Sequence, residues 1–478
     1  MSENIFPHHH AEEDRGTAET RAVDASVRLP VLVLFGNAVH WLVVASLISF
    51  ILSVKLIAPG FLGGVSFLTY GRLAPMARDL FLYGWASQAA LAAGIWLMAR
   101  LSGRPLGGIL HSTLLVSATV LWNVAILLGT LAIFAGYSTG VEWLEYPNWA
   151  SAMLLLSFLL IGIWAVLQFD RRANERAEVA QWFLVAAFCW FPWVYGTANL
   201  LLTWKPVQAS AQGPIQSWYC GSLLALWLLP VAIAALYALM PRLLGCHLNR
   251  RNLATLGFWM LLLLGGWNGM ERLIGGPVPA WMTSAGVVAG VLFLIPVVIV
   301  AINLLGMSAE KNTEANIKEG VVIRFLRTGI YALISVGILG ALCALPEVSG
   351  ALRFTAVTEA KTQLWILGAI SFPLFAVLYE SFPALLGRDC WCESLSARHY
   401  WLTFSGLWLL VGLMLFGGLF TGLALNDPTV SFLNITSYSY PFHVLECGAQ
   451  LLLLAAAVIL GINLSLALAW DYLFPKKK

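Results

Sequence analysis

Charged side chains are scarce in this sequence. Asp, Glu, Lys and Arg make up 11% of its 478 residues, whereas they make up about 25% of a typical soluble domain. The 27 basic and 24 acidic residues leave a formal charge of +3, which is too small to indicate a polyanionic partner such as nucleic acid. The shortage of charge excludes an ordinary soluble enzyme, a disordered chain and a nucleic-acid-binding protein.

Cysteines and the common catalytic signatures are also few. Seven Cys in a chain of this length do not form the dense framework of a small disulfide-stabilised protein. We find no phosphate-binding loop, nucleophile elbow or dinucleotide fingerprint. The N-terminal segment lacks the basic start, apolar run and cleavage site of a signal peptide. No soluble catalytic domain is therefore expected.

Apolar residues dominate what is present. They account for 60% of the chain, and the mean hydropathy is +0.81. A bilayer core about 30 Å thick needs roughly 20 apolar residues per helix. About twelve such runs occur, and they are too long for barrel strands; they lie near 31–54, 76–100, 110–135, 147–169, 179–203, 216–240, 252–274, 281–306, 322–345, 360–386, 399–424 and 441–470. The predicted fold is all-α, a polytopic membrane protein with about twelve transmembrane helices.

The charges between these runs predict an orientation. An even number of spans places both termini on one side, and that side carries 20 of the 27 Lys and Arg residues, which leaves 7 on the other. The positive-inside rule then places both termini on the cytoplasmic side of the membrane. The expected location is a bacterial inner membrane. We divide the chain into a disordered cytoplasmic tail (1–30), a twelve-helix transmembrane domain (31–471) and a basic cytoplasmic tail (472–478).

Several short stretches follow one another in the order of a known family. They are Thr69-Tyr70-Gly71-Arg72-Leu73-Ala74-Pro75, the GxxxGxExxE spacing of Gly136, Gly140, Glu142 and Glu145, Trp218-Tyr219, Phe258-Trp259 with Trp267 and Gly269, and Leu378-Tyr379 with Pro383, Leu385, Gly387 and Arg388. In this order they resemble the catalytic subunit of heme–copper oxidases, specifically the C-family, or cbb-type, cytochrome c oxidases. That family has twelve spans, so the resemblance implies its helix bundle over roughly residues 31–470.

The resemblance implies six metal-binding histidines, and none is found. A member of the family would bind a low-spin heme b between helices two and ten, a high-spin heme on helix ten, and copper on helices six and seven. The matching positions hold Ala77, Gly221, the adjacent Glu271 and Arg272, and the pair Lys361 and Gln363. Gly265 stands at the position of the family's redox tyrosine. We therefore expect no catalytic residue and no cofactor, with heme b and copper bound only if the family function is retained.

Charged residues stand at several of these positions. Ionisable groups within a bilayer are usually paired or functional, so we predict a salt-bridged polar plug in part of the cofactor space. In it, Glu271 or Glu359 pairs with Lys361 or Arg272, and Trp365 is a candidate to fill the remaining volume. The alternative is that these residues lie at the outer interface, in water.

Two further acids are expected inside the membrane. Glu380 lies near the end of the tenth span, and Glu446 lies inside the twelfth. They are candidates for proton relay, but hydrogen bonding to a neighbouring helix is favoured because a relay without a redox centre has nothing to drive it.

One group of Cys and His residues is a weak metal candidate. Cys246 and His247 are adjacent, and Cys390 and Cys392 lie close to His399. Cys and His together can hold zinc, but neither spacing matches a standard zinc signature. Free cytosolic thiols are therefore favoured.

Three functional hypotheses follow. The favoured one is a non-catalytic relative, a pseudoenzyme that serves as the scaffold or partner subunit of a respiratory-type complex. Its expected partners are membrane lipid and other membrane or cytochrome c-type subunits. The first alternative is a functional terminal oxidase that binds heme, reduces O2 and pumps protons. The second is a transporter or channel that uses the cofactor space, with Lys361 and Arg272 meeting an anion.

Overall fold

Twelve long helices make up the computed structural model. It describes the backbone of residues 7–248, 250–312 and 320–473, and the side chains of 18–248, 250–307 and 320–469. Within these ranges there is no strand. The helices that are long and apolar enough to cross a membrane are α1 (Ala18–Ile57), α2 (Tyr70–Ser102), α3 (Ile109–Ala135), α4 (Asn148–Asp170), α5 (Val179–Trp204), α6 (Ala209–Leu244), α7 (Arg251–Leu273), α8 (Ala280–Met307), α9 (Val321–Ala344), α10 (Ala356–Leu386), α11 (Glu393–Leu425) and α12 (Phe432–Ala469). The prediction of an all-α bundle with twelve spans is confirmed.

Local sequence signals determine where several helices begin and end. At the start of α5, the Glu178 side chain accepts from the backbone while Gln181 reaches back to the Glu178 N–H, which is a capping box. The last turn of α10 is followed by Gly387, whose φ of 68° is left-handed. Glycine adopts that conformation without a Cβ clash, so it ends the helix at little cost.

The N-terminal segment is part of the bundle. The helix that contains the α1 span begins at Pro7, and Val23 and Val27 are buried. Asp24 accepts hydrogen bonds from the Arg100 guanidinium at 2.6 and 2.5 Å and from the Trp96 indole at 3.2 Å. This buried ion pair joins α1 to α2, so the prediction of a disordered tail over 1–30 is wrong from Ala18 onward.

Parts of both predicted tails lie outside the described residues. Residues 1–6, at the start of the tail predicted over 1–30, lie outside the described backbone. The predicted basic tail, 472–478, lies outside the residues whose side chains are described.

Three helices form the centre of the bundle. In the most apolar window of each helix, 94% of α2, 94% of α6 and 89% of α10 is buried, compared with 33–50% for the other nine. Each central helix contains a π-helical segment, at Leu80–Ser87, Leu223–Leu228 and Leu364–Ser371. Such segments are frequent at functional sites because they rotate the following side chains. The central helices carry most of the positions singled out by the sequence.

The α7 span is not a regular helix throughout. Its α-helix ends at Gly265, and a short 3-10 helix follows from Met270 to Leu273. Between them the chain turns at Gly269, whose φ is 104°. We call residues 266–273 the α7 turn. It lies against α6 and carries Glu271 and Arg272 into the bundle.

Candidate functional site

The backbones of α6 and the α7 turn are in direct contact. A Cβ built on Gly221 would lie 1.5 Å from the carbonyl oxygen of Asn268, and one built on Gly269 would lie 2.4 Å from the carbonyl oxygen of Ser217. Only glycine fits at these two positions. Because protein backbone fills this space, a side chain at position 221 cannot project from α6 toward a metal.

Glu271 and Lys361 form a buried ion pair. The Lys361 ammonium donates to Glu271 Oε1 at 3.1 Å, and the two side chains are 4% and 11% exposed. The second carboxylate oxygen of Glu271 accepts from the Gly269 backbone N–H at 2.7 Å. The pair therefore links the α7 turn to α10.

Of the other two residues proposed for the polar plug, Arg272 lines the same small cavity as this pair, whereas Glu359 lines a different cavity. Glu359 accepts from the side-chain amide of Gln363 at 2.8 Å. The Nε of Arg272 is buried without a hydrogen-bond partner among the described residues. Trp365 is 4% exposed and packs on Phe293, with ring centroids 5.6 Å apart.

Two cavities flank α10. Successive helical residues are about 100° apart, so positions 361 and 363 point to nearly opposite sides. Lys361 faces a small cavity of about 100 Å³, which is also lined by Glu271 and Arg272. Gln363 faces a larger cavity of about 310 Å³ between α1, α2, α10, α11 and α12, and Ala77 lines the same cavity from α2.

The residues at these positions do not fit iron or copper. Ala77 offers a methyl group and Gly221 has no side chain, while Lys361 and Gln363 are engaged with neighbouring glutamates. None of them supplies the imidazole on which heme and copper sites of this type depend. Across the described residues, no three His, Cys, Asp or Glu side chains come together as a metal-binding group.

The predicted intramembrane acids both have partners. Glu380, near the end of α10, pairs with Arg242 of α6. Glu446 on α12 contacts His443 Nδ1 at 3.0 Å. These contacts favour hydrogen bonding, and proton transfer stays a prediction.

The Cys and His residues do not form a joint site within the described chain. The Cys246, Cys390 and Cys392 thiols are free, with Cys390 buried and Cys392 exposed. Cys392 Sγ contacts the Ser394 hydroxyl at 3.3 Å. His399 is buried, and its Nδ1 lies 3.1 Å from the Tyr379 hydroxyl. His247 joins no metal-binding group among the described residues.

A cluster of buried polar residues beside α2 escaped the sequence reasoning. Asp79 is completely buried, and its carboxyl group lies beside the Glu145 carboxyl and the Tyr146 backbone. The hydroxyl of Tyr83 contacts that of Tyr219 and donates to the Trp143 carbonyl at 2.5 Å. The sequence signal that could have identified this cluster is an acidic residue, Asp79, directly after Arg78 in an apolar span.

Glu145 connects this cluster to the loop before α4. It is 2% exposed and accepts from Arg78 at 2.8 Å. Burial raises the pKa of the Glu145 carboxyl above its usual value. The loop carrying the GxxxGxExxE spacing is thereby held against α2.

We expect Gly221→Ala to destabilise the protein strongly, because its methyl group would overlap the Asn268 carbonyl. Gly266→Ala is the matched control, since a Cβ there meets nothing within 4 Å. The measurement is thermal unfolding of the purified chain in detergent. Equal melting temperatures for the two variants would contradict the contact between α6 and the α7 turn.

We expect Glu271→Gln and Lys361→Met to be individually destabilising, because each leaves a buried charge without its partner at a cost of about 3–5 kcal/mol. The double variant removes both charges and should lose less than the sum. A double-mutant cycle on unfolding by sodium dodecyl sulfate measures the coupling. Strictly additive losses would show that the two groups do not interact.

Comparisons with known proteins agree with this architecture. The family described as "Cytochrome C and Quinol oxidase polypeptide I" matches residues 30–452. The "Cytochrome c oxidase subunit 1 homolog" of Azorhizobium caulinodans is 21% identical over 448 residues, covering 89% of this chain and 79% of that protein. The "Cbb3-type cytochrome c oxidase subunit CcoN1" of Stutzerimonas stutzeri is 22% identical over 417 residues, covering 83% and 85%.

A solved structure shows the same fold. It is a heme-copper terminal oxidase dimer studied by cryo-electron microscopy, and it matches with a TM-score of 0.72 at 16% identity, covering 96% of this chain and 85% of that chain. With the family match over residues 30–452, it follows that this chain belongs to the subunit I family of cytochrome c and quinol oxidases.

Proposed function

We propose that the chain is a non-catalytic member of this family, a membrane subunit that serves as a scaffold or partner in a respiratory-type complex. The observation that carries the proposal is the contact of Gly221 with the Asn268 carbonyl. It fills the space into which a copper ligand from α6 would have to project. An oxygen-reducing centre needs that ligand, so catalysis is not expected here.

The two heme positions support the same conclusion. Lys361 is held by Glu271 at 3.1 Å, and freeing its amine would leave a buried carboxylate without its counter-charge, which is costly. On the other side of α10, Ala77 has no lone pair to offer. We do not favour the transporter alternative, because Lys361, which would have to meet an anion, is already bound.

The relatives suggest the kind of partner. Both are named as subunits of cytochrome c oxidases. A protein named as a subunit assembles with other chains. We therefore propose that this chain lies in a bacterial membrane beside other membrane or cytochrome c-type subunits. Membrane lipid would cover the remaining apolar surface, where side chains such as Trp259, Phe416 and Leu423 are more than half exposed.

The heme and copper content of the purified protein tests the proposed absence of cofactors. In the chain purified from native membranes with its partners, we expect heme and copper far below one per polypeptide. Absorption spectroscopy with a pyridine hemochrome assay, together with elemental analysis, makes the measurement. The Stutzerimonas stutzeri relative, purified in parallel, shows whether cofactors survive the procedure. Stoichiometric heme with Soret and alpha bands would overturn the proposal.

The proposed orientation can be tested at Cys392. This thiol is exposed immediately before α11, and its pKa is lowered by a hydrogen bond with the Ser394 hydroxyl, so it should react readily with maleimide at neutral pH. With both termini in the cytoplasm, a membrane-impermeant maleimide should label it in inverted vesicles only. Cys392→Ser should remove the label that Cys392 carries, and labelling in right-side-out vesicles that is lost in Cys392→Ser would reverse the assignment.

A further inference from the structure

The larger cavity has a chemical character that a scaffold role does not explain. Its volume of about 310 Å³ lies in the range of small-molecule sites, about 300–1,000 Å³. Aromatic side chains contribute to its walls, namely Phe81, Trp143 and Phe375, and aliphatic ones such as Leu42 and Leu410 complete them. An apolar molecule of modest size would therefore be desolvated favourably inside.

The charges that face this cavity are predominantly negative. The ionisable side chains that line it are Tyr70, Arg78, Glu359, His399 and Glu446. The only formal cation among them, Arg78, donates to a carboxylate outside the lining at 2.8 Å. The net charge of the cavity lining therefore depends on Glu359 and Glu446.

Glu359 is the acidic side chain of this lining that forms no salt bridge with a described residue. Glu446 lies 3.0 Å from His443 Nδ1, and a protonated His443 donates to this carboxylate and offsets its charge. Glu359, by contrast, contacts only the neutral amide of Gln363, at 2.8 Å, and forms no ion pair with any described residue. A carboxylate beside aromatic walls attracts an organic cation both by charge and through the ring faces.

The cavity is accessible from one end of the bundle. Tyr70 is 48% exposed and the Arg78 side chain 46% exposed, and Glu359 is exposed beside them. All three lie near the starts of α2 and α10. A ligand would enter there with its charge at the rim, near Glu359, and its apolar part toward Phe375.

We propose that this cavity binds a lipophilic organic cation, with Glu359 as its counter-charge and the aromatic side chains as its walls. The inference rests on the proposed function, because a heme in the same cavity would exclude such a ligand. An anion would be repelled by the carboxylates, and a neutral amphiphile would leave Glu359 without a counter-charge.

Two probes of the same shape and opposite charge test the proposal. Tetraphenylphosphonium and tetraphenylborate are titrated calorimetrically into the full-length chain in lipid nanodiscs, with empty nanodiscs as the blank. We expect saturable binding of tetraphenylphosphonium near one per chain and no saturable binding of tetraphenylborate. Equal binding of the two probes, or none of the cation, would overturn the proposal without any mutation.

A charge-neutral variant tests the role of Glu359. We expect Glu359→Gln to weaken tetraphenylphosphonium binding by about tenfold, which corresponds to about 1.4 kcal/mol. Glu347→Gln is the matched control, because Glu347 is exposed at the same end of the bundle but does not line the cavity. An unchanged affinity in Glu359→Gln, or an equal loss in both variants, would contradict the assignment.

The heme content of the same sample separates this inference from the proposed function. A chain loaded with heme would overturn the non-catalytic assignment. A heme-free chain that does not bind the cation would overturn the cation site and leave the scaffold role in place.

Discussion

The close approach of α6 to the α7 turn is the constraint on which the rest of the site depends. Gly221 and Gly269 let two stretches of backbone meet where most bundles would place side chains. The turn can reach so far inward because α7 stops being a regular helix at Gly265. The α7 turn places Glu271 inside the protein, where its carboxylate needs a counter-charge.

Lys361 forms an ion pair with Glu271, and the two sides of α10 differ as a result. A buried carboxylate is tolerable only with a partner and further hydrogen bonds, and Glu271 has both, from Lys361 and from the Gly269 N–H. The Lys361 ammonium is thereby held in the ion pair on one side of α10. Two residues later, Gln363 faces the opposite side and a cavity three times larger. The two sides of α10 therefore differ: backbone and an ion pair fill one, and the other faces a space with acidic and aromatic walls.

A second set of polar contacts holds the outer helices to the centre. Asp24 and Arg100 join α1 to α2, and Glu145 joins the loop before α4 to Arg78. The Asp24–Arg100 pair is largely buried, whereas in the other pair Glu145 is buried and Arg78 is half-exposed. The buried Asp79 and its neighbouring tyrosines lie beside the Arg78 pair, at the opposite end of α2 from Arg100, and take no part in the site at α10.

The sequence by itself determined the number of spans and the family, because apolar runs of membrane length and an ordered set of short motifs are local properties of the chain. The positions predicted to match the family's metal ligands stay a prediction. The sequence did not determine that residues from Ala18 onward pack as helix, since the partner of Asp24 lies 76 residues away. Nor could it decide between Glu271 and Glu359 as the partner of Lys361, or reveal a cavity. Those outcomes depend on which helix faces which, and only the tertiary structure brings together charges that are distant along the chain.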